Sequence, residues 1–222
     1  MDSKAPEVAS PEWNDFMFLQ HATPYSGLAG FIQKKRIRKV LKWANIQPVD
    51  CVLEVGCEAG ELIRSTPDCK RRVGIDISKE ALKKAHEKAA AQNKRIEFLQ
   101  ANCCQTLPFE KGTFTVILCS EMLEHVPNPE SCINAIADLC TPETRVIFTV
   151  PNEKPKLKIK KLLSATGLFN LLFPGIEAGQ SEWHLQQFNR NLLRTLCEKR
   201  FEMVRITSIW GMHWCVQLKL KI

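Results

Sequence analysis

The sequence predicts an α/β fold with a parallel sheet wound on both faces. Three observations predict it. Short apolar runs at 51–55, 73–76, 96–99, 114–119 and 145–150 have the length of buried strands. Helix-like segments at 60–66, 79–92 and 129–140 separate them, and that alternation implies parallel strands joined by crossovers. The first run turns through Gly56 and Gly60 into a helix-like segment, as α/β proteins do where backbone N–H groups face a ligand.

The elements follow in order. Residues 1–27 read as a loose start carrying Trp13, Phe16, Phe18 and the sole tyrosine, Tyr25. Residues 28–45 form an amphipathic helix, with Leu28, Phe31, Ile32, Ile37, Val40 and Leu41 near helical spacing. Val52-Leu53-Glu54-Val55 makes the first strand. Val73-Gly74-Ile75-Asp76 closes the second on a carboxylate, and Ser78 then reads as the N-cap of the next helix. The third, fourth and fifth runs repeat the pattern. Residues 156–173 are basic first and apolar later. A helix at 187–199 precedes two strands, 202–209 and 213–221, joined by a tight turn at Trp210-Gly211 and expected to be antiparallel.

Composition sets the class. The 222 residues are 45% hydrophobic and 25% charged, ordinary values for one globular domain spanning 1–222. No run approaches the roughly 18 apolar residues of a membrane span. The opening residues show no basic stretch leading into an apolar core, so a cytoplasmic protein is expected. Ten cysteines, with no CxxC pair, read as reduced thiols and mostly small core residues. Cys103-Cys104 stands apart, in a loop beside the expected ligand. The net charge is +7, with basic clusters at 34–39, 70–72 and 154–161. These are either solvated faces or contacts to an acidic partner.

The turn Glu54 to Gly60 and Asp76, twenty-two residues after Glu54, suit a βαβ unit whose carboxylate holds a ribose through its hydroxyls. Glu58 stands where such a turn commonly has another glycine. If that backbone needs φ > 0, a non-glycine costs on the order of 1 kcal/mol. Its carboxylate would also repel an anionic ligand group or pair with a cationic one.

With these residues the chain resembles the class I S-adenosylmethionine-dependent methyltransferases. VLEVGCEAG is similar to the family's first motif and VGIDIS to its second. PFEKGTFTVILCSEMLEHVPNP is similar to its central strand and following loop, and RVIFTVPNE to its fifth strand. The resemblance covers roughly residues 35–222. It implies a Rossmann-like, seven-stranded sheet of order 3-2-1-4-5-7-6, only the last strand antiparallel, with helices on both faces. It also implies S-adenosyl-L-methionine as cofactor. By it, Glu54, Gly56 and Gly60 hold the methionine part, Asp76 the ribose hydroxyls, and Ile77 the adenine. Asn102 stands where the family often has an aspartate that accepts from the adenine amino group, and Cys57, Cys103 and Ser120 are further cofactor-binding positions. Thr115 replaces a frequent aspartate at the start of the fourth strand, a position that is often structural.

Chemistry is expected at Glu121-Met122-Leu123-Glu124-His125, at the carboxyl edge of the sheet. Methyl transfer is an in-line displacement, and a hydroxyl acceptor must lose its proton to a base or on a metal. Three readings stand side by side. His125 and His184, with Glu124, act as acid/base groups or substrate contacts. Alternatively Glu121, Glu124, His125 and His184 hold a divalent metal, as a similar segment does in the small-RNA 2′-O-methyltransferases. Or the segment is purely structural. Glu182 and Trp183 flank His184, Trp183 as pocket wall.

Residues 154–184 are expected to cap the acceptor pocket, and 1–33 to close over the cofactor from the other side. The basic and apolar stretch 154–173 is either a lid or a peripheral membrane contact. The EMLEHVPNP segment resembles the ubiquinone-biosynthesis O-methyltransferases. That makes a small, partly apolar acceptor, methylated on oxygen, the leading expectation. An RNA methyltransferase is the alternative, and a nucleic-acid partner is disfavoured because no stretch interleaves basic residues with aromatics. A catalytically silent binding protein of the same fold is the third reading, supported by Glu58.

Overall fold

The computed structural model describes residues 7–20, 27–152, 155, 162–167 and 184–222. Tyr25, Glu182, Trp183 and most of the expected 154–184 cap lie outside the described residues. The elements are α1 (Pro11–Gln20), α2 (Gly27–Ala44), β1 (Cys51–Val55), α3 (Glu61–Arg64), β2 (Arg71–Asp76), α4 (Lys79–Ala91) and β3 (Glu97–Gln100). There follow β4 (Val116–Ser120), a 3-10 turn (Leu123–His125), α5 (Pro129–Leu139), β5 (Arg145–Pro151), α6 (Arg190–Cys197), β6 (Phe201–Ile209) and β7 (His213–Leu220).

All seven strands form one sheet of order β3-β2-β1-β4-β5-β7-β6. Strands β1 to β5 are parallel, and β7 runs antiparallel to both its neighbours. This is the order the resemblance implies. Each central strand is buried on both faces, so it reads as a continuous apolar run. Leu53, Val55, Ile117, Cys119, Val146 and Phe148 point to the face covered by α5 and α6. Val52, Val116, Leu118 and Ile147 point to the face covered by α2 and α4. The order of strands reverses between β1 and β4, so the loops leaving their carboxyl ends splay apart and open a crevice there.

Two sequence readings need correction. Residues 11–20 are a helix, not a loose start. Ser10 caps it, its Oγ accepting the Trp13 N–H at 3.0 Å, and Pro11 begins the first turn. Trp13 and Met17, one turn apart, are its buried residues. Strand β2 starts at Arg71, two residues before the apolar run. Arg71 extends it by a bidentate pair with Glu97 of β3, at 2.9 and 2.7 Å. Thr115 proves structural. It donates to Asp50 at 2.7 Å, and Asp50 accepts from Arg145 at 2.5 Å, far from the crevice at the amino edge of the sheet.

All ten cysteines are free thiols. Cys57, Cys119, Cys132, Cys140, Cys197 and Cys215 are buried, and burial pushes the Cys197 and Cys215 thiols up to about 12. They pack as small apolar side chains, as their placement in the sequence implies. Among the described residues, no helix is long and apolar enough to cross a membrane.

Candidate active site

The turn after β1 is built around two left-handed glycines. Gly56 has φ 72° and Gly60 φ 74°. A Cβ on Gly56 would lie 2.2 Å from Met122 Cγ and 2.7 Å from Met122 Cβ, so the close approach of the β1 and β4 loops requires glycine. Glu58 has φ 47°, so the left-handed conformation that penalises a non-glycine is present. What the turn uses at this position is the backbone. The Glu58 N–H donates to Asp76 Oδ2 at 2.8 Å, and the Ser78 N–H donates to Asp76 Oδ1 at 2.9 Å. Asp76 is thus held by backbone donors on both oxygens, and it lines the cavity. Burial pushes its carboxyl up, against the pull of those N–H groups.

Helix α1 closes this corner. Asp15 accepts from Ser78 Oγ at 2.5 Å and from the Glu80 N–H at 3.1 Å, at the N-terminus of α4. A carboxylate there complements the helix dipole. Ala9, Asn14 and Phe18 line the cavity beside it. Phe16 points outward and is exposed.

The cavity measures about 460 Å³, within the roughly 300–1,000 Å³ of small-molecule sites. Glu54, Gly56, Cys57, Asp76, Ile77, Asn102, Cys103 and Ser120 all line it. Gly60, which is not among the lining residues, shapes the turn from behind, packed toward Phe98 and Ala85. Asn102 Oδ1 accepts the Cys104 N–H at 2.9 Å and so holds its own loop. Ser120 Oγ bonds Thr149 Oγ1 at 2.7 Å. Six carboxylates line the space: Glu54, Glu58, Glu61, Asp76, Glu121 and Glu124. Arg36 is the one Arg or Lys among the described lining residues. This charge pattern suits a cationic ligand that also carries one anionic group. Glu54 accepts the Ile63 N–H at 2.8 Å. Burial pushes its carboxyl up to about 8, with Asp76 and Glu58 adding to the shift while the Ile63 N–H and Arg36 oppose it.

At the other end, the EMLEH segment divides. Glu121 (φ 56°) leaves the rest of the motif and accepts from, or donates to, His213 Nδ1 of β7 at 2.7 Å. Arg36 of α2 lies 3.8 Å from its other oxygen. Glu121 therefore does not join the four-residue metal set that its sequence position suggested. Glu124, His125 and His184 do converge, offering ligand atoms all within 4.8 Å of one another. The His125 and His184 rings stand edge to face with centroids 4.9 Å apart. The backbone explains why residues so far apart in sequence meet. The Glu124 carbonyl accepts N–H bonds from Leu185 and Gln186, at 2.8 and 3.1 Å, which ties the His184 loop to the 3-10 turn. One carboxylate and two imidazoles fit a divalent cation as an incomplete donor set, with positions left for water or substrate.

Sequence reading missed Arg36, Gln33, Asp15 and His213. A signal existed for two of them. Gln33 and Arg36 share a helical face with Ile37 and Val40, and polar residues on an apolar stripe mark a face that meets something other than core.

A family model described as a methyltransferase domain matches residues 53–148. The ubiquinone biosynthesis O-methyltransferase of Albidiferax ferrireducens is 36% identical over 60% of this chain and 54% of its own length. The chain thus spans about half the length of that relative. That of Aliivibrio fischeri is 33% identical over 82% of this chain and 76% of its own. Among solved structures, the N-methyltransferase NodS of Bradyrhizobium japonicum, in complex with S-adenosyl-l-homocysteine, superposes with TM-score 0.67. That likeness holds at 15% identity, over 96% of this chain and 100% of that one. A relative one third identical across four fifths of the chain joins the fold to the family: the chain belongs to the class I S-adenosylmethionine-dependent methyltransferases.

Proposed function

We propose that this chain transfers a methyl group from S-adenosylmethionine to a hydroxyl of a small, partly apolar acceptor, working as a single domain over 1–222. The observation that carries the reading is the cavity itself. It joins an acidic, glycine-turned end to an end with two touching imidazoles. S-adenosylmethionine, when bound, supplies an electrophilic methyl carbon on a sulfonium. The protein's residues do the rest. Asp76, with both oxygens fixed by backbone N–H groups, accepts the two ribose hydroxyls. Ile77 and Cys103 pack on the adenine, and the free lone pair of Asn102 Oδ1 accepts from its amino group. Gly56 and Cys57 let the backbone approach the methionine part. Glu54 takes its ammonium, and Arg36 its carboxylate. Ser120 lies at the reacting end, and α1 with the start of α2 is the described part of the lid 1–33.

The acceptor hydroxyl is placed beside His125 and His184. One imidazole takes the proton as the methyl moves, and Glu124 stabilises the imidazolium that forms. A phenolic hydroxyl, with a pKa near 10, is within reach of such a base. The relatives' names support oxygen as the acceptor atom. The convergence of Glu124, His125 and His184 supports a second reading, in which a divalent cation on these three lowers the hydroxyl's pKa. The test is product analysis by mass spectrometry, with S-adenosylmethionine and a series of phenols bearing apolar tails. O-methylated product and S-adenosylhomocysteine in equal amounts are expected. Turnover on amines or RNA but on no hydroxyl would sink the reading. Loss of turnover with chelator, restored by added cation, would select the metal route.

A further inference from the structure

We propose that a rim made by Phe31 of α2 and Trp210 at the β6–β7 tip docks this protein on an anionic lipid surface. Trp210 and Gly211 both have positive φ, 53° and 70°, with the Met212 N–H bonded to the Ile209 carbonyl at 3.0 Å. Turns of this kind favour Asn-Gly, and a bulky ring at φ > 0 is an outlier. A strained residue held against the preference of its turn points to a use for its side chain. That side chain is 58% exposed. Its ring lies 5.2 Å from the ring of Phe31, which is itself 43% exposed. Two exposed rings in contact make an apolar wedge, and the indole is the side chain best suited to the bilayer–water boundary.

The ground around the wedge is basic. Helix α2 contains Lys34, Lys35, Arg36, Arg38, Lys39 and Lys42 and no acidic residue. Arg36 turns inward to Glu121, whereas Lys34, Arg38 and Lys42 are exposed and Lys35 lies 5.2 Å from the Phe31 ring. An apolar wedge beside a cationic helix face complements anionic headgroups. A nucleic acid would need further rings on which to stack bases. The next ring along α2, Trp43, is buried, with Lys39 at 4.8 Å and Arg205 at 4.4 Å from its centroid.

The rim also sits at the right edge. Asn152, at the carboxyl end of β5, bonds the Gly211 and Met212 carbonyls at 2.9 and 2.8 Å. The tip therefore lies at the carboxyl edge of the sheet, where Ser120 and Glu121 line the cavity. Gln33 and Arg36, within two turns of Phe31, line the cavity. Docking there lets an apolar acceptor pass from lipid to cavity without crossing water. That purpose rests on the proposed function, while the docking itself does not.

The test is vesicle flotation of the full chain without cofactor. The vesicles are phosphatidylcholine alone or mixed with phosphatidylglycerol. The wild type should float with the mixed vesicles at low salt, lose binding at high salt, and ignore phosphatidylcholine alone. The double variant Phe31→Ala/Trp210→Ala should bind roughly tenfold less or weaker still. Its melting temperature and S-adenosylhomocysteine affinity should match the wild type, which separates docking from folding. Three outcomes would overturn the proposal: no flotation of the wild type, equal flotation of the double variant, or tighter binding to a single-stranded RNA oligonucleotide than to the mixed vesicles. Flotation without S-adenosylhomocysteine binding would instead count against the enzymatic reading and leave the docking in place.

Discussion

Glu54 makes the binding reaction depend on pH in a way that can be worked out. Burial pushes its carboxyl up to about 8, so at pH 7 about nine in ten unliganded molecules hold it protonated. The ammonium group proposed to sit on Glu54 needs the ionised form. Binding must therefore expel that proton. Affinity for S-adenosylhomocysteine should rise close to tenfold, ~1.4 kcal/mol, for each pH unit between 6 and 8, then level off. Calorimetry in two buffers of different ionisation enthalpy reads the proton directly, and about 0.9 proton should leave per ligand at pH 7. Glu54→Gln, neutral at every pH, should lose both the slope and the proton release. Near pH 8 it should bind about 10- to 100-fold more weakly than wild type, the value of one charge-assisted hydrogen bond. Stability moves the opposite way. The folded pKa lies above the ordinary 4.5, so the contribution is full below pH 4.5 and is lost as pH rises through 8. The loss is at most ~5 kcal/mol, and bound ligand offsets it. An affinity that is the same at pH 6 and pH 8, with no proton released at pH 7, would refute the placing of the ammonium on Glu54.

Other substitutions separate the parts of the site. Gly56→Ala drives a methyl into Met122 at 2.2 Å in a left-handed backbone, so it should cost about 2–4 kcal/mol of stability in denaturant melts and abolish S-adenosylhomocysteine binding in calorimetry. Glu58→Gly keeps the backbone N–H that holds Asp76, so its melting temperature should change by only a few degrees and its affinity by about threefold or less. His125→Ala and His184→Ala should each leave S-adenosylhomocysteine affinity intact while turnover falls about 100-fold or more, read by product mass spectrometry.

The sheet was legible because each strand is buried on both faces and so appears as an unbroken apolar run. The cofactor end was legible for a related reason. Gly56, Glu54 and Asp76, proposed to hold the cofactor, stand where the local chain fixes them, at strand ends and in one turn. The acceptor end was readable only in part. The Glu124–His125–His184 cluster is held by backbone bonds between Glu124 and a loop about sixty residues later, and no spacing rule encodes such a bond. Glu121 shows the limit from the other side. It stands in the same motif, yet its left-handed backbone turns it to His213 on the closing hairpin. Arg36 was overlooked because it was counted within a basic cluster, although its place on an apolar stripe set it apart. Helix α1 was overlooked despite its Ser10-Pro11 start, because Phe16, Met17, Phe18 and Leu19 are consecutive and spread round the helix, which leaves little periodic signal.

Titration of the wild-type chain with S-adenosylmethionine at pH 8 tests the central claim most directly, namely that the cavity between the β1 and β4 loops holds this cofactor. The account predicts a single site with Kd on the order of 10 μM or tighter, removed by Asp76→Ala in protein that still melts cooperatively. No heat at millimolar cofactor, or equal binding by the Asp76→Ala variant, would contradict it.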